Sequence, residues 1–387
     1  MMGVYTEYLN MNWDFEQLTA ERKRQLRRIS KLRDGRDVLV FAADLMKGIP
    51  LISVGYADLL PINDQLANLS GKKLDLILET PGGSGEVAED IVRLLRGKYE
   101  EIGVIIPGVA KSAGTIMAMA ADEILMEPVS SLGPIDAQIA WQGKVFSAHA
   151  LIEGFEKIKK EVVDTGVLNR AYIPMLQGIS PGELQNAENA LAFAKNLVTD
   201  WLATYKFKNW KTRSSTGKDV TPDDRRERAE AIAGQLCDHG RWKTHGRSIK
   251  IDDLETMRLK IVDYSKNPEL LDAIRRYHTL LQMAFATTIY KVIETPTSQI
   301  YRFAVEGTTA PPPAGAVPAM AHAEIKCAVC GNAIKLQANL VPGTPIQPGC
   351  LPFPASNRMK CPKCGGDLDL TSMRGQIEAM TKRRIVD

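Results

Sequence analysis

LDLILETPGGSG (residues 74–85) and IGVIIPGVAKSAGTIMAMAA (residues 102–121) decide the reading of this chain. Each opens with a run rich in Leu, Ile or Val, LDLILET over 74–80 and IGVIIPG over 102–108, as expected of a strand buried on both faces. Each then turns through small residues straight into a helical pattern. Residues 85–98 place Val87, Ile91, Leu94 and Leu95 on one face, and AGTIMAMAA (113–121) is apolar throughout. VLVFAAD (38–44) and EILMEP (123–128) read as further strands, and residues 60–70 as a helix. Strands alternating with helices across short turns predict an α/β core of parallel strands joined by right-handed crossovers.

The two turns carry the chemistry. In Thr80-Pro81-Gly82-Gly83-Ser84-Gly85 the glycines let the backbone approach a ligand, and the next helix adds positive potential from its N-terminus. The lysine of a GxxxxGK[ST] loop is missing, which excludes a P-loop. In Pro107–Thr115, Ser112 is flanked by small residues between a strand and an apolar helix. That is the setting of a nucleophile elbow, where the following N–H stabilises an oxyanion. The plain alternative is a helix N-cap serine. A Gly-Gly donor turn on one strand and a Ser-Ala-Gly turn on the next together suggest acyl transfer.

TPGGSGEVAEDIVRLL (80–95) and VIIPGVAKSAGTIMAMAADEILMEPVSSLGPIDAQI (104–139) resemble the Clp protease/signal peptide peptidase A clan, with its crotonase-like fold of parallel β-sheet layers and helices. Within that clan they are most similar to the serine dehydrogenase proteinase family. The similarity covers about residues 36–140 and recurs weakly at Trp242-Lys243-Thr244-His245. The resemblance implies a serine endopeptidase with Ser112 as nucleophile and the N–H groups of Gly83 and Ala113 as oxyanion donors. It also implies a homo-oligomer acting on polypeptide. Where the clan often has glycine after the serine this chain has Ala113, which keeps the N–H.

The general base stays open among several residues. Lys111 is set aside because consecutive helical residues do not face each other. The place of a triad histidine holds Asp136, which could orient a base or cap a strand end. Lys144 or His149 lie near the dyad-lysine position, and Asp238, His239 and His245 near the third triad position. Two rival readings follow. A crotonase-type acyl-CoA enzyme would need acids such as Glu86 and Glu89, but their helix phase places them opposite the apolar face. A non-catalytic, peptidase-like oligomeric scaffold without a base would bind protein or nucleic acid through the C-terminal cysteine module of residues 320–387.

Outside this region, residues 17–36 hold eight Lys or Arg with Leu26, Ile29 and Leu32 at helical spacing, which predicts a basic amphipathic helix docked on the core. From about 148 the chain reads as helical over 148–163, 181–206, 222–236 and 267–293, with the basic stretch KFKNWKTRSSTGKDVTPDD as an exposed loop. The expected core is 1–307, followed by a Pro/Ala linker over 308–319 and a small module over 320–387 ending in a helix. In that module Cys327-x-x-Cys330-Gly and Cys361-x-x-Cys364-Gly read as a four-thiolate structural zinc ribbon, a module that commonly binds a protein or nucleic-acid partner. Cys237 and Cys350 are bystanders.

The whole chain has 387 residues, 44% hydrophobic and 25% charged, which excludes wholesale disorder. Its net charge of +3 gives no general argument for nucleic acid or membrane. Six cysteines are too sparse for a disulfide scaffold and suit a reducing compartment. No run of about 18 apolar residues and no signal pattern is present, so a cytoplasmic protein is expected.

Overall fold

The computed structural model describes residues 3–141, 144–213, 216–304, 319–381 and 383–386, and the side chains of 140, 141, 144, 145, 379 and 380 lie outside that description. The chain divides into two compact units, one within the first 310 residues and one formed by the C-terminal residues. Residues 308–318 of the expected linker lie outside the described residues, and Met320–Lys326 is already a strand. Among the described residues no helix is long and apolar enough to cross a membrane.

The larger unit is built on β1 (Asp37–Ala43), β2 (Lys73–Glu79) and β3 (Glu101–Ile106), which pair in parallel. Beyond β3 a two-residue strand β4 (Val109–Ala110) leaves the sheet, and β5 (Glu123–Met126) returns to pair parallel with β3. Val262–Asp263 extends the parallel set beyond β5. Side-chain alternation sorts the core into two faces. Leu76, Leu78, Val104 and Ile106 pack under the helices Leu59–Ala67, Gly85–Lys98 and Ala113–Met119. Val38, Val40, Ile77 and Ile105 face Leu26 and Ile29 of the helix Phe15–Leu32 and Ile274 and Tyr277 of the helix Pro268–Phe285.

The last helix of the larger unit is shorter than expected. The helix read over 267–293 stops at Phe285, and Ile289–Glu294 is a strand that pairs antiparallel with β1 and in turn with Gln299–Phe303. The β-branched and aromatic residues Thr287, Thr288, Ile289, Tyr290, Val292 and Ile293 end the helical preference and favour a pleated surface. The sheet therefore gains an antiparallel edge, in the order 299–303, 289–294, β1, β2, β3, β5, 262–263.

The basic segment spends much of its charge on ion pairs, those of Arg22, Lys23, Arg33 and Arg36 being largely buried. Of the eight cations in residues 17–36, Arg22, Lys23, Arg24, Arg28, Arg33 and Arg36 form ion pairs, and Arg27 donates to the Pro296 carbonyl. The stretch expected as an exposed loop after Lys206 is half embedded, with Phe207 and Val220 buried.

The smaller unit holds two hairpins, Met320–Lys326 with Ala333–Asn339 and Arg358–Lys360 with Asp367–Asp369. They surround a core of Ile334, Leu336, Leu340, Phe353, Leu368 and Leu370. The helix Thr371–Thr381 follows.

Candidate active site and metal centre

The two turns meet at the C-terminal ends of β2 and β3. Thr80 N–H donates to Val109 O at 2.9 Å and Lys111 N–H to Thr80 O at 3.0 Å, so β4 runs beside the turn that leads into Gly82. On the other side Val54 bridges Gly83 in parallel, with Val54 N–H on Gly82 O at 2.8 Å and Ser84 N–H on Val54 O at 3.0 Å. Gly82 has φ 106°, and a Cβ built there would lie 2.6 Å from the Cβ of Ser112. Glycine is thus required for the serine to stand against this turn.

Ser112 has φ 50° and ψ −116°, and its side chain makes no capping hydrogen bond to the helix Ala113–Met119. The ordinary N-cap reading fails on both counts, since caps hold extended backbone and bond to a following N–H. A non-glycine residue held in this region costs on the order of 1–3 kcal/mol, and such strain concentrates where a side chain must be presented. The Thr115 hydroxyl fixes the turn from behind, donating to Ala110 O at 2.9 Å and accepting from Gly133 N–H at 2.9 Å. Among the described residues neither the Gly83 nor the Ala113 N–H has a backbone or side-chain acceptor. Gly83 is exposed and Ser112 half-buried.

Asp136, fully buried, gathers two of the histidines. Its Oδ1 is 2.7 Å from His245 Nδ1 and its Oδ2 is 2.9 Å from His239 Nδ1, with Gln138 Nε2 also donating to Oδ2 at 3.2 Å. Burial works against the Asp136 charge, yet the hydrogen bonds from both imidazoles and the His245 charge bring its carboxyl below the usual range. Two links carry the His245 segment towards the serine. Leu132 and Ile249 exchange both backbone hydrogen bonds at 3.0 Å. The Lys111 ammonium donates to Leu132 O, Arg247 O and Ser248 Oγ at 2.9, 2.8 and 3.1 Å. Lys111, set aside as a base, is the tie between the elbow and the loop after His245. No sequence pattern signalled that.

The remaining sites fall elsewhere. His149 stacks near His239, with ring centroids 6.3 Å apart, and lies 3.8 Å from Glu153. Asp238 uses its carboxylate to cap the short helix His239–Trp242 through Arg241 N–H. Lys144 opens the strand Lys144–Ser147, and its side chain lies outside the described residues. Glu86 accepts from Ser84 Oγ and Glu89 pairs with Arg93, so both acids are occupied on the helix surface. A separate pair, Glu79 Oε2 and His278 Nε2 at 2.7 Å, lies on the opposite face of the sheet and joins none of these groups.

In the smaller unit the sulfurs of Cys327, Cys330, Cys361 and Cys364 all lie within 4.8 Å of one another. Each knuckle sits at a hairpin tip and closes the same way: Gly331 N–H bonds Cys327 O at 2.8 Å, and Gly365 N–H bonds Cys361 O at 2.9 Å. Both glycines have φ near 70°, the left-handed turn that aims two thiols at one point. These four thiols could hold a metal ion. Cys350 and Cys237 stand apart from them, and burial pushes the Cys237 thiol up to about 12.

Residues 5–174 match the model of a family described as ClpP-like SDH-type serine proteinase. Two uncharacterized proteins of Methanocaldococcus jannaschii are similar. MJ0137 is 27% identical over 254 residues, 64% of this chain and 75% of that protein. MJ1495 is 36% identical over 91 residues, 24% of this chain and 30% of that protein. Among solved structures, the 1510-N membrane-bound stomatin-specific protease, in a mutant form, aligns with 57% of this chain and 79% of its own at 14% identity and TM-score 0.32. A mutant ClpP1 from Listeria monocytogenes aligns with 62% and 98% at 12% identity and TM-score 0.28.

Proposed function

We propose that this chain, matched over residues 5–174 by a ClpP-like serine proteinase family, is a serine peptidase that works through an acyl-enzyme on Ser112. Ser112 Oγ attacks the scissile carbonyl while His245 Nε2 takes its proton, the Nδ1–H of the same ring resting on Asp136 Oδ1. The N–H groups of Gly83 and Ala113 receive the oxyanion. His245 then returns the proton to the leaving amine, and water repeats the sequence to release the acid. The observation that carries this reading is the Ser112 backbone, φ 50° and ψ −116°, at a strand-to-helix junction with no capping bond. His245 is chosen over His239 because Lys111 ties the segment after it to the elbow, whereas His239 is turned towards His149. Among the described residues the Ser112 hydroxyl has no hydrogen-bond partner, and such bonds commonly tighten only when substrate binds.

Zinc is the proposed ion of the smaller unit. Tetrahedral Zn–S bonds of about 2.3 Å give S···S edges of about 3.8 Å, and Cys327–Cys364 and Cys330–Cys361 stand 3.6 and 3.8 Å apart. Four thiolates leave no open position, so the role is structural. A polypeptide substrate, homo-oligomeric assembly and a cytoplasmic location belong to the same proposal, with the family match as support for the first two.

A fluorophosphonate probe on the purified full chain tests the enzyme. Labelling should vanish in Ser112→Ala, fall on the order of 10³-fold or more in His245→Ala and Asp136→Asn, and change less than tenfold in His239→Ala. Labelling that survives Ser112→Ala would instead favour the non-catalytic scaffold.

A further inference from the structure

A cavity of about 1060 Å³ lies at the opposite end of the sheet from Ser112. It opens where β5 begins, at Asp122 and Glu123, whereas Ser112 follows the far end of β3. A six-residue strand separates the two ends by roughly 20 Å. Its walls come from the segment after Lys206, from the helix Pro222–Cys237 and from residues 258–262.

Its charges do not cancel. The acids that line it are mostly spent: Asp122 on Arg96 and Lys208, Glu123 on Arg33, Asp224 on Arg213. Lys206, Arg228, Arg258 and Lys260 also line it, and among the described residues none has a carboxylate at ion-pair distance. Among the described lining residues Glu227 is the one acid without an ion pair. Arg228 and Arg258 are close enough that burial, followed by the Arg258 charge, weakens the hold of Arg228 on its proton. Burial likewise brings Lys206 down to about 8, ahead of the attraction of Glu123 and Asp122.

The backbone supplies an independent sign. Arg258 has φ 62°, just past the end of the helix Ile251–Thr256, where glycine is the unstrained choice. The chain carries an arginine in a left-handed position and so delivers a guanidinium to the rim. Trp210 forms a flat wall, with the Arg228 guanidinium 6.0 Å from its ring centroid. Guanidinium forks match phosphate oxygens in pairs, and a half-open hollow of about 1060 Å³ is of the size that takes a small-molecule ligand.

We propose that this cavity binds a phosphate-bearing anion of nucleotide size, with Arg228, Arg258 and Lys260 holding the phosphates and Trp210 beside the organic part. The binding is separate from the peptidase chemistry and does not depend on it. Calorimetric titration of the full chain with ATP, inorganic triphosphate, adenosine and hexaglutamate tests it. ATP should saturate one site per chain, triphosphate should bind more weakly at the same site, and adenosine should not saturate. Affinity should fall as salt rises. Arg228→Gln with Arg258→Gln should weaken ATP at least tenfold while fluorophosphonate labelling of Ser112 is unchanged. If that pair of changes prevents folding, exposed Lys260→Gln should still weaken ATP about threefold. The proposal is overturned by no saturable ATP binding, by ATP affinity unaltered in these variants, by adenosine binding as well as ATP, or by hexaglutamate binding more tightly.

Discussion

Lys111 sits beside Ser112, and its ammonium is shared among Leu132 O, Arg247 O and Ser248 Oγ. Burial first, and then the Lys250 charge, brings it from the ordinary lysine value to about 8. The folded state therefore holds this proton less tightly than the unfolded chain does. Below pH 8 both states are charged and the full penalty stands. Between about pH 8 and 10.5 the unfolded state binds more protons, so stability rises with pH. Lys111→Met should flatten that rise by about 1–2 kcal/mol, discounted for the solvent-facing part of the side chain. Urea unfolding at pH 7.5, 8.5 and 9.5 measures it, and subtracting the variant from the wild type removes the similar contribution of Lys206. Identical slopes in the two proteins would count against a strained lysine here. Ser112 itself was legible in the sequence because its small neighbours announce a sharp turn. The choice among the candidate bases was not: Asp136 and His245 lie 109 positions apart, and no local pattern links them.

At the scale of elements, the helix Phe15–Leu32 is fastened to the strand Ile289–Glu294 by buried charge. Glu294 accepts from Arg22 Nε at 3.1 Å, Lys23 Nζ at 3.0 Å and the Tyr277 hydroxyl at 2.8 Å. Burial opposes its charge, but the two cations hold the carboxyl below its usual range. Glu294→Gln would leave Arg22 buried without a counter-charge, and a loss of about 3–5 kcal/mol is expected, read from the urea midpoint. A loss under 1 kcal/mol would mean that water reaches this network. The helix was legible from Leu26, Ile29 and Leu32, because apolar spacing reports the buried face directly. That Arg22, Lys23 and Arg28 point into ion pairs was not, because their counter-charges, Glu294 and Asp272, lie 244 to 272 residues away in sequence. The misread boundary at Phe285 has the same origin. Ile289–Glu294 becomes a strand by pairing with β1, and apolar spacing alone cannot separate a short buried strand from a continuing helix.

At the scale of the whole molecule, each unit has its own apolar core, and the smaller core is slight. With the proposed zinc bound, a unit this size would draw its folding energy largely from the metal. Zinc analysis should give about one ion per chain, in keeping with a four-thiolate site. Chelation should melt the β-structure of the C-terminal unit and leave fluorophosphonate labelling of Ser112 intact. Labelling lost in step with the metal would mean that the larger unit depends on the smaller one.

By itself the sequence determined the parallel strands, the two turns at their ends and the four-cysteine set, because each is written in spacing over a few residues. Only the tertiary structure decided the antiparallel edge, the placing of Asp136 between two histidines, and the charge imbalance of the cavity beside β5. Each of those depends on which distant segments are brought within hydrogen-bonding or ion-pairing distance, a property of the folded chain and of no single stretch of it.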